Sequence, residues 1–132
     1  MSNLGVIEIK AFVPSKDFEL SEQFYNDLGF TMASEGGGVA YFHLGQTSFL
    51  LQDYCVPALA ENFMLHILVQ DVYAWWNHVQ ASGVIAKYGV KCTAVESQAW
   101  KTDDFCLLDP LLMAFSSHLE SGVDCLTVKF TR

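Results

Sequence analysis

Apolar side chains alternate along the start of the chain at Ile7, Ile9, Ala11 and Val13, the two-residue period of a strand. The period then changes. Leu20, Phe24 and Leu28, with Tyr25 beside them, recur at helical spacing between Asp17 and Gly29. An Asp at the first position takes hydrogen bonds from amides that have no helical partner, and a Gly at the end adopts the left-handed turn at little steric cost. Runs at 30–34, 39–44 and 47–51 read as strands, the last two joined by the hairpin signal Leu44-Gly45-Gln46-Thr47.

The same order then returns. Residues 63–69 form a strand pattern, Asp71 opens a helix that Gly83 closes, and Val72, Trp75, Trp76 and Val79 make one apolar stripe. The Asp and the Gly of the second helix stand at the same offset of 54 from those of the first. Further strands are expected at 84–93, 104–108 and 111–117. The pattern predicts an α+β domain of two βαβββ modules, the first at about 5–53, a linker at 54–62 carrying Pro57, and the second at about 63–119. In the tail, 120–132, Leu126, Val128 and Phe130 alternate, which predicts one added edge strand.

Composition narrows the class. With 132 residues, 52% of them hydrophobic and ten of them Phe, the chain can bury a full core without metal or disulfide support. No run approaches the roughly 18 uncharged apolar residues of a membrane helix, and the first residues lack a basic segment followed by an apolar one, so a cytoplasmic protein with no membrane partner is expected. Cys55, Cys92, Cys106 and Cys125 are widely spaced, which argues for reduced, mostly buried thiols rather than a zinc knuckle or a redox dithiol. The net charge of −8 opposes nucleic-acid binding, which draws its affinity from clustered Lys and Arg.

The segment Asp17-Phe18, Ser21, Phe24-Tyr25, Leu28-Gly29-Phe30 resembles the signature that opens proteins of the vicinal-oxygen-chelate superfamily, the glyoxalase, bleomycin-resistance and extradiol-dioxygenase group. Residues 61–72, Ala74-Trp75-Trp76, Asp104-Phe105 and Leu108-Asp109-Pro110 extend the resemblance over roughly residues 6 to 110. It implies two modules that curl into a cup-shaped mixed sheet around a cavity, a homodimer, and either a divalent metal in the cup or a ligand bound without one. Pairing would also cover the sheet edge and apolar inner face that an open half-cup leaves.

The metal ligands that the resemblance implies are missing. The first ligand of each module would fall at Lys10 and Met64, and their partners at Leu50 and Ser116. A protonated lysine has no lone pair to give, and a thioether suits the oxygen- and nitrogen-seeking metals poorly. Leu111-Leu112 also replaces the family's small residue and Gly after Asp-Pro, so the chain departs from the pattern beyond Pro110. A shifted set, Glu8, Gln52, His66 and His118, would serve a metal-dependent lyase or dioxygenase. Its shift runs backward at Glu8 and forward at His66, which does not suit one centre between equivalent strands.

No covalent machinery stands in for the metal. There is no Gly-x-Ser-x-Gly elbow and no local Cys-His signature, Gly36-Gly37-Gly38 reads as a turn, and Asp103-Asp104 reads as a pair of solvated loop carboxylates. His43 and His78 read as ordinary surface residues, and Trp75 and Trp76 as helix-to-sheet core. The expected function is metal-free binding of a small aromatic or cationic molecule, with no cofactor. Glu8, Phe12, Tyr41, Phe49, His66, Trp100 and Phe105 are the expected ligand contacts, the rings for stacking and Glu8 for charge. A non-catalytic dimerisation module is the remaining alternative.

Overall fold

The computed structural model describes residues 2–55, 64–97, 103–108 and 127–131. The first module runs β1 (Phe12–Pro14), α1 (Phe18–Leu28), β2 (Thr31–Gly36), β3 (Val39–Leu44) and β4 (Thr47–Gln52). The second runs β5 (Met64–Leu68), α2 (Val72–Ser82), α3 (Val84–Tyr88), β6 (Glu96–Ser97), β7 (Asp103–Leu108) and β8 (Thr127–Thr131). Each module has one four-stranded mixed sheet, in the orders β1-β4-β3-β2 and β5-β8-β7-β6. The duplication therefore extends to topology: β1 lies parallel to β4 as β5 lies parallel to β8.

Both helix starts form as their sequence requires. Asp17 accepts the Leu20 amide, and Asp71 accepts those of Tyr73 and Ala74. The helices cover one face of each sheet. Phe24, Tyr25 and Leu28 of α1 meet Val13, Ala40, Phe42, Phe49 and Leu51, all buried. Tyr25 stands edge-on to Phe30 and Phe49, with ring centroids 5.9 and 4.9 Å away. In the second module Phe130 of β8 is stacked between Trp75 and Phe105 at 5.0 and 4.8 Å. The helices also join the modules. Tyr88 meets Phe24 edge-on, Lys87 pairs with Asp27 at 2.6 Å, and the His78 ring nitrogen lies 2.7 Å from the Leu28 carbonyl.

Four expectations are corrected. The strand expected at 7–13 is confined to Phe12–Pro14, because the chain before it turns across the sheet instead of continuing beside β4. Residues 84–88 form helix α3 rather than a strand; Gly83 and Gly89, at φ 78° and 64°, bound one helical turn whose Val84 and Tyr88 pack inward. Asp104 is not a solvated loop carboxylate but a buried strand residue 3.3 Å from the Lys129 ammonium. The tail strand is not an edge: β8 sits between β5 and β7 and holds the place that β4 has in the first module. The strand expected at 111–117 lies outside the described residues.

Gly29 offers a local test of the helix-to-helix junction. Its φ of 122° is one that L side chains rarely adopt, and an added Cβ would lie 3.3 Å from the His78 ring. Gly29→Ala is expected to cost about 1–3 kcal/mol in urea unfolding. A loss below a few tenths would mean that this junction relaxes freely.

Candidate ligand cleft

Strand parity separates a helix-covered face from an open one. In the first module Phe12, Tyr41, His43, Ser48, Leu50 and Gln52 share the open face, while Phe42, Phe49 and Leu51 point to the core. In the second module the open face carries Met64, His66 and Leu68 of β5, Lys129 and Thr131 of β8, and Asp104, Cys106 and Leu108 of β7. The offset of 54 sets Phe12 against His66, and the two ladders set Leu50 against Lys129.

Several polar groups on the two open faces are paired. Glu8 accepts the hydroxyls of Tyr41, at 2.9 Å, and of Ser48, and stands 3.2 Å from the Lys10 ammonium. The Ser48 hydroxyl, then that of Tyr41 and the ammonium of Lys10, hold its carboxyl below the usual glutamate range. Lys10 also lies 5.0 Å over the Tyr41 ring. In the second module a His66 ring nitrogen lies 2.8 Å from the Thr131 hydroxyl. Among the described residues the thiols stay protonated: burial, with Cys106 beside it, pushes Cys92 up to about 11, and burial also raises Cys55 and Cys106.

Between the modules lies a cleft of about 850 Å³. One wall is the β3–β4 hairpin and the start of β4, from Leu44 to Phe49; the other is β5 and its exit, from Leu65 to Asp71. Phe30, Ala74 and Trp75 close it. Its surface is mainly apolar, and the one carboxylate in its wall, Asp71, is engaged in capping α2. Of the expected contacts, Phe49 and His66 line this cleft. Glu8, Phe12 and Tyr41 belong to the first module's open face instead. Phe105 is 1% exposed and packs in the core against Phe130, and Trp100 lies outside the described residues. Trp75, expected in the core, also lines the cleft, whereas Lys129 and Thr131 share the open face with His66 without lining it. Alternation in the tail already put Lys129 and Thr131 on the face opposite Val128 and Phe130, but nothing local told that β8 is an interior strand.

The positions at which the resemblance places metal ligands hold Lys10, Leu50 and Met64; Ser116 lies outside the described residues, and Lys129 of β8 has the place in the second sheet that Leu50 has in the first. Both lysines are ion-paired, and Met64 is 54% exposed. This donor set does not fit a divalent ion. Of the shifted set, Glu8 accepts two hydroxyls and lies beside an ammonium, His66 lies against the Thr131 hydroxyl, Gln52 is on the first module's open face, and His118 lies outside the described residues. Among the described residues no group of three or more His, Cys, Asp or Glu is arranged to hold a metal.

The model of the Glyoxalase/Bleomycin resistance protein/Dioxygenase superfamily matches residues 7–97. The chain belongs to that superfamily. The match ends before β7 and β8. Among solved structures, a bleomycin-binding protein from Streptomyces verticillus complexed with copper(II)-bleomycin superposes with a TM-score of 0.71 at 16% identity, covering 97% of each chain. Another bleomycin-binding protein, complexed with bleomycin, gives 0.68 at 18% identity over 95% of this chain and 97% of that one. A lactoylglutathione lyase from Agrobacterium tumefaciens gives 0.62 at 14% identity over 98% and 94%. At these identities the likeness is one of fold. No curated protein matches the chain significantly. Among the described residues no helix is long and apolar enough to cross a membrane.

Proposed function

We propose that this protein is a metal-free small-molecule-binding member of its superfamily, acting as a homodimer and taking an aromatic ligand in the cleft between its modules. The cleft carries the reading. It is large enough for a drug-sized molecule, and the partly exposed Trp75 offers a flat apolar wall beside the nearly buried Phe30 and Phe49. Glu8 and Asp104 are each paired with a lysine, and neither they nor Asp103 line the cleft. Recognition then rests on shape and stacking. Bleomycin, which two neighbours of the same fold hold, is the first compound to titrate, beside neutral aromatic dyes.

The test is a blocking substitution. Ala74 lies exposed on α2 at the cleft, so Ala74→Trp fills the space without entering the core. It is expected to weaken dye binding by about tenfold or more, close to 1.4 kcal/mol, with the melting temperature kept. Unchanged binding would place the ligand elsewhere. Zinc, nickel and manganese are expected to leave the melting temperature unmoved, whereas any ion present at a hundred times its dissociation constant would add about 2.7 kcal/mol. A clear shift that His66→Ala removes would overturn the metal-free reading.

A further inference from the structure

The closed side of the ligand cleft is assembled from two modules whose described strands form separate sheets. Phe30 comes from the first, Ala74 and Trp75 from the second. Sheet pairing therefore does not set the distance between these walls; among the described residues the modules pack together through α1 against α2 and α3. The joint lies behind the cleft. Leu28 ends α1, so its carbonyl has no partner within the helix, and a ring nitrogen of His78 on α2 meets it at 2.7 Å. A carbonyl only accepts, so Nε2 is the nitrogen that carries the proton and donates.

This one bond is close to both walls along the chain. Phe30 follows Leu28 by two residues, and His78 follows Trp75 by three, nearly one turn of α2. Trp75 is itself held in place, stacked on Phe130 at 5.0 Å and edge-on to the His78 ring at 5.4 Å. Gly29 leaves room for the approach, since a Cβ there would come within 3.3 Å of Nε2. Asp27 adds a second tie by accepting the Lys87 ammonium and the Tyr88 hydroxyl, both at 2.6 Å. That tie joins α1 to α3 and does not reach the residues of α2 that line the cleft.

We propose that His78 is a positioning residue of the ligand cleft: by bonding α2 to the end of α1 it fixes Trp75 against Phe30, so that the cleft selects flat aromatic ligands over thicker, saturated ones. This rests on the cleft reading above and adds what sets its selectivity. The lining holds no lysine or arginine, and its one carboxylate caps α2, so thickness is a property left for the walls to read. Walls held from behind exclude a puckered ring by contact, whereas walls free to shift would admit it at little cost. The His78 bond is only partly buried, so it contributes modestly, and its loss is expected to change selectivity without unfolding the chain.

Displacement of the neutral dye Nile red from the full chain tests this, with 2-naphthol and decahydro-2-naphthol as competitors that share a skeleton and a hydroxyl but differ in thickness. The wild type is expected to prefer 2-naphthol by about tenfold. His78→Leu is expected to reduce that preference by about threefold or more, and His78→Gln, whose side-chain N–H reaches the place of Nε2, to restore it. A lower melting temperature in His78→Leu with the preference unchanged would show a helix cap and nothing more, which overturns the proposal. Equal losses in both variants would overturn it too, because the ring and not its bond to α1 would then be responsible. Nitrogen chemical shifts of the wild-type ring give a reading that needs no variant: a His78 protonated at Nδ1 alone would leave the Leu28 carbonyl without its donor and end the idea. Ala74→Trp separates this from the cleft itself. Dye binding untouched by that change removes the cleft reading and the proposal with it, whereas binding blocked there but indifferent to His78 leaves the cleft standing and removes the positioning role.

Discussion

Removal of residues 127–132 is expected to leave a chain that does not fold cooperatively. A true edge strand could be lost with local fraying. β8 instead pairs on both sides, parallel to β5 and antiparallel to β7, and its loss would separate the strands of the second sheet. It would also remove Val128 and Phe130, both fully buried, the latter stacked between Trp75 and Phe105. Phe130→Ala alone is expected to cost about 3–5 kcal/mol, most of the stability that a domain of this size commonly has. Circular dichroism of the truncated chain and urea unfolding of the point variant measure both. A truncated chain that melts in one sharp transition would show that the second sheet closes without β8.

Stability should fall as pH rises from about 4.5 to about 7, and Glu22 is the cause. It lies on α1, 9% exposed, against Glu35 of β2. Burial first, and then the Glu35 and Glu19 carboxylates, raise its carboxyl from the ordinary 4.5 to about 7. The folded chain therefore keeps a proton that the unfolded chain gives up near 4.5. Between these values unfolding releases a proton, so each step up in pH favours the unfolded state. The contribution is whole below the unfolded value and lost as pH passes the folded one. Since Glu35 stands in water, about 2 kcal/mol is expected rather than the full equivalent of the shift. Glu22→Gln keeps the hydrogen-bond donor without the charge. Its melting temperature should exceed the wild type's at pH 8, and the gap should close near pH 5. Parallel curves for the two proteins would refute the assignment.

Local chemistry made part of this fold legible in advance. Asp17 and Asp71 are short acceptors at the head of amphipathic stripes, and Gly29 and Gly83 follow their last turns, so both long helices could be bounded to within a residue. The Leu44–Thr47 hairpin was equally readable, since Gly45 supplies the positive φ that the turn needs. Residues 84–88 were misread because a short apolar run has no period of its own; contacts of Tyr88 with Phe24 and of Lys87 with Asp27, far off in sequence, decide for helix. The ligand cleft was harder still. Parity could say that Phe49 and Leu51 share one face, but not that this face meets α1. Nor could it foresee that the cleft would form where two strand edges fail to meet.

The parallel pairing of β5 with β8 also orders events in time. In the first module every strand has been made by Gln52, and Phe12 need only find Leu50. In the second, Met64 must wait for Thr127, and β8, an inner strand of its sheet, is made after β5, β6 and β7. Closing so long a loop late in synthesis is entropically slow and leaves the partners of β8 exposed meanwhile. A nascent chain therefore has a nearly complete first module and a second whose β5 and β7 stand apart with bare edges. Chaperone dependence and aggregation during expression should track that interval, so slowed translation before residue 127 would harm this protein where a pause after residue 55 would help it.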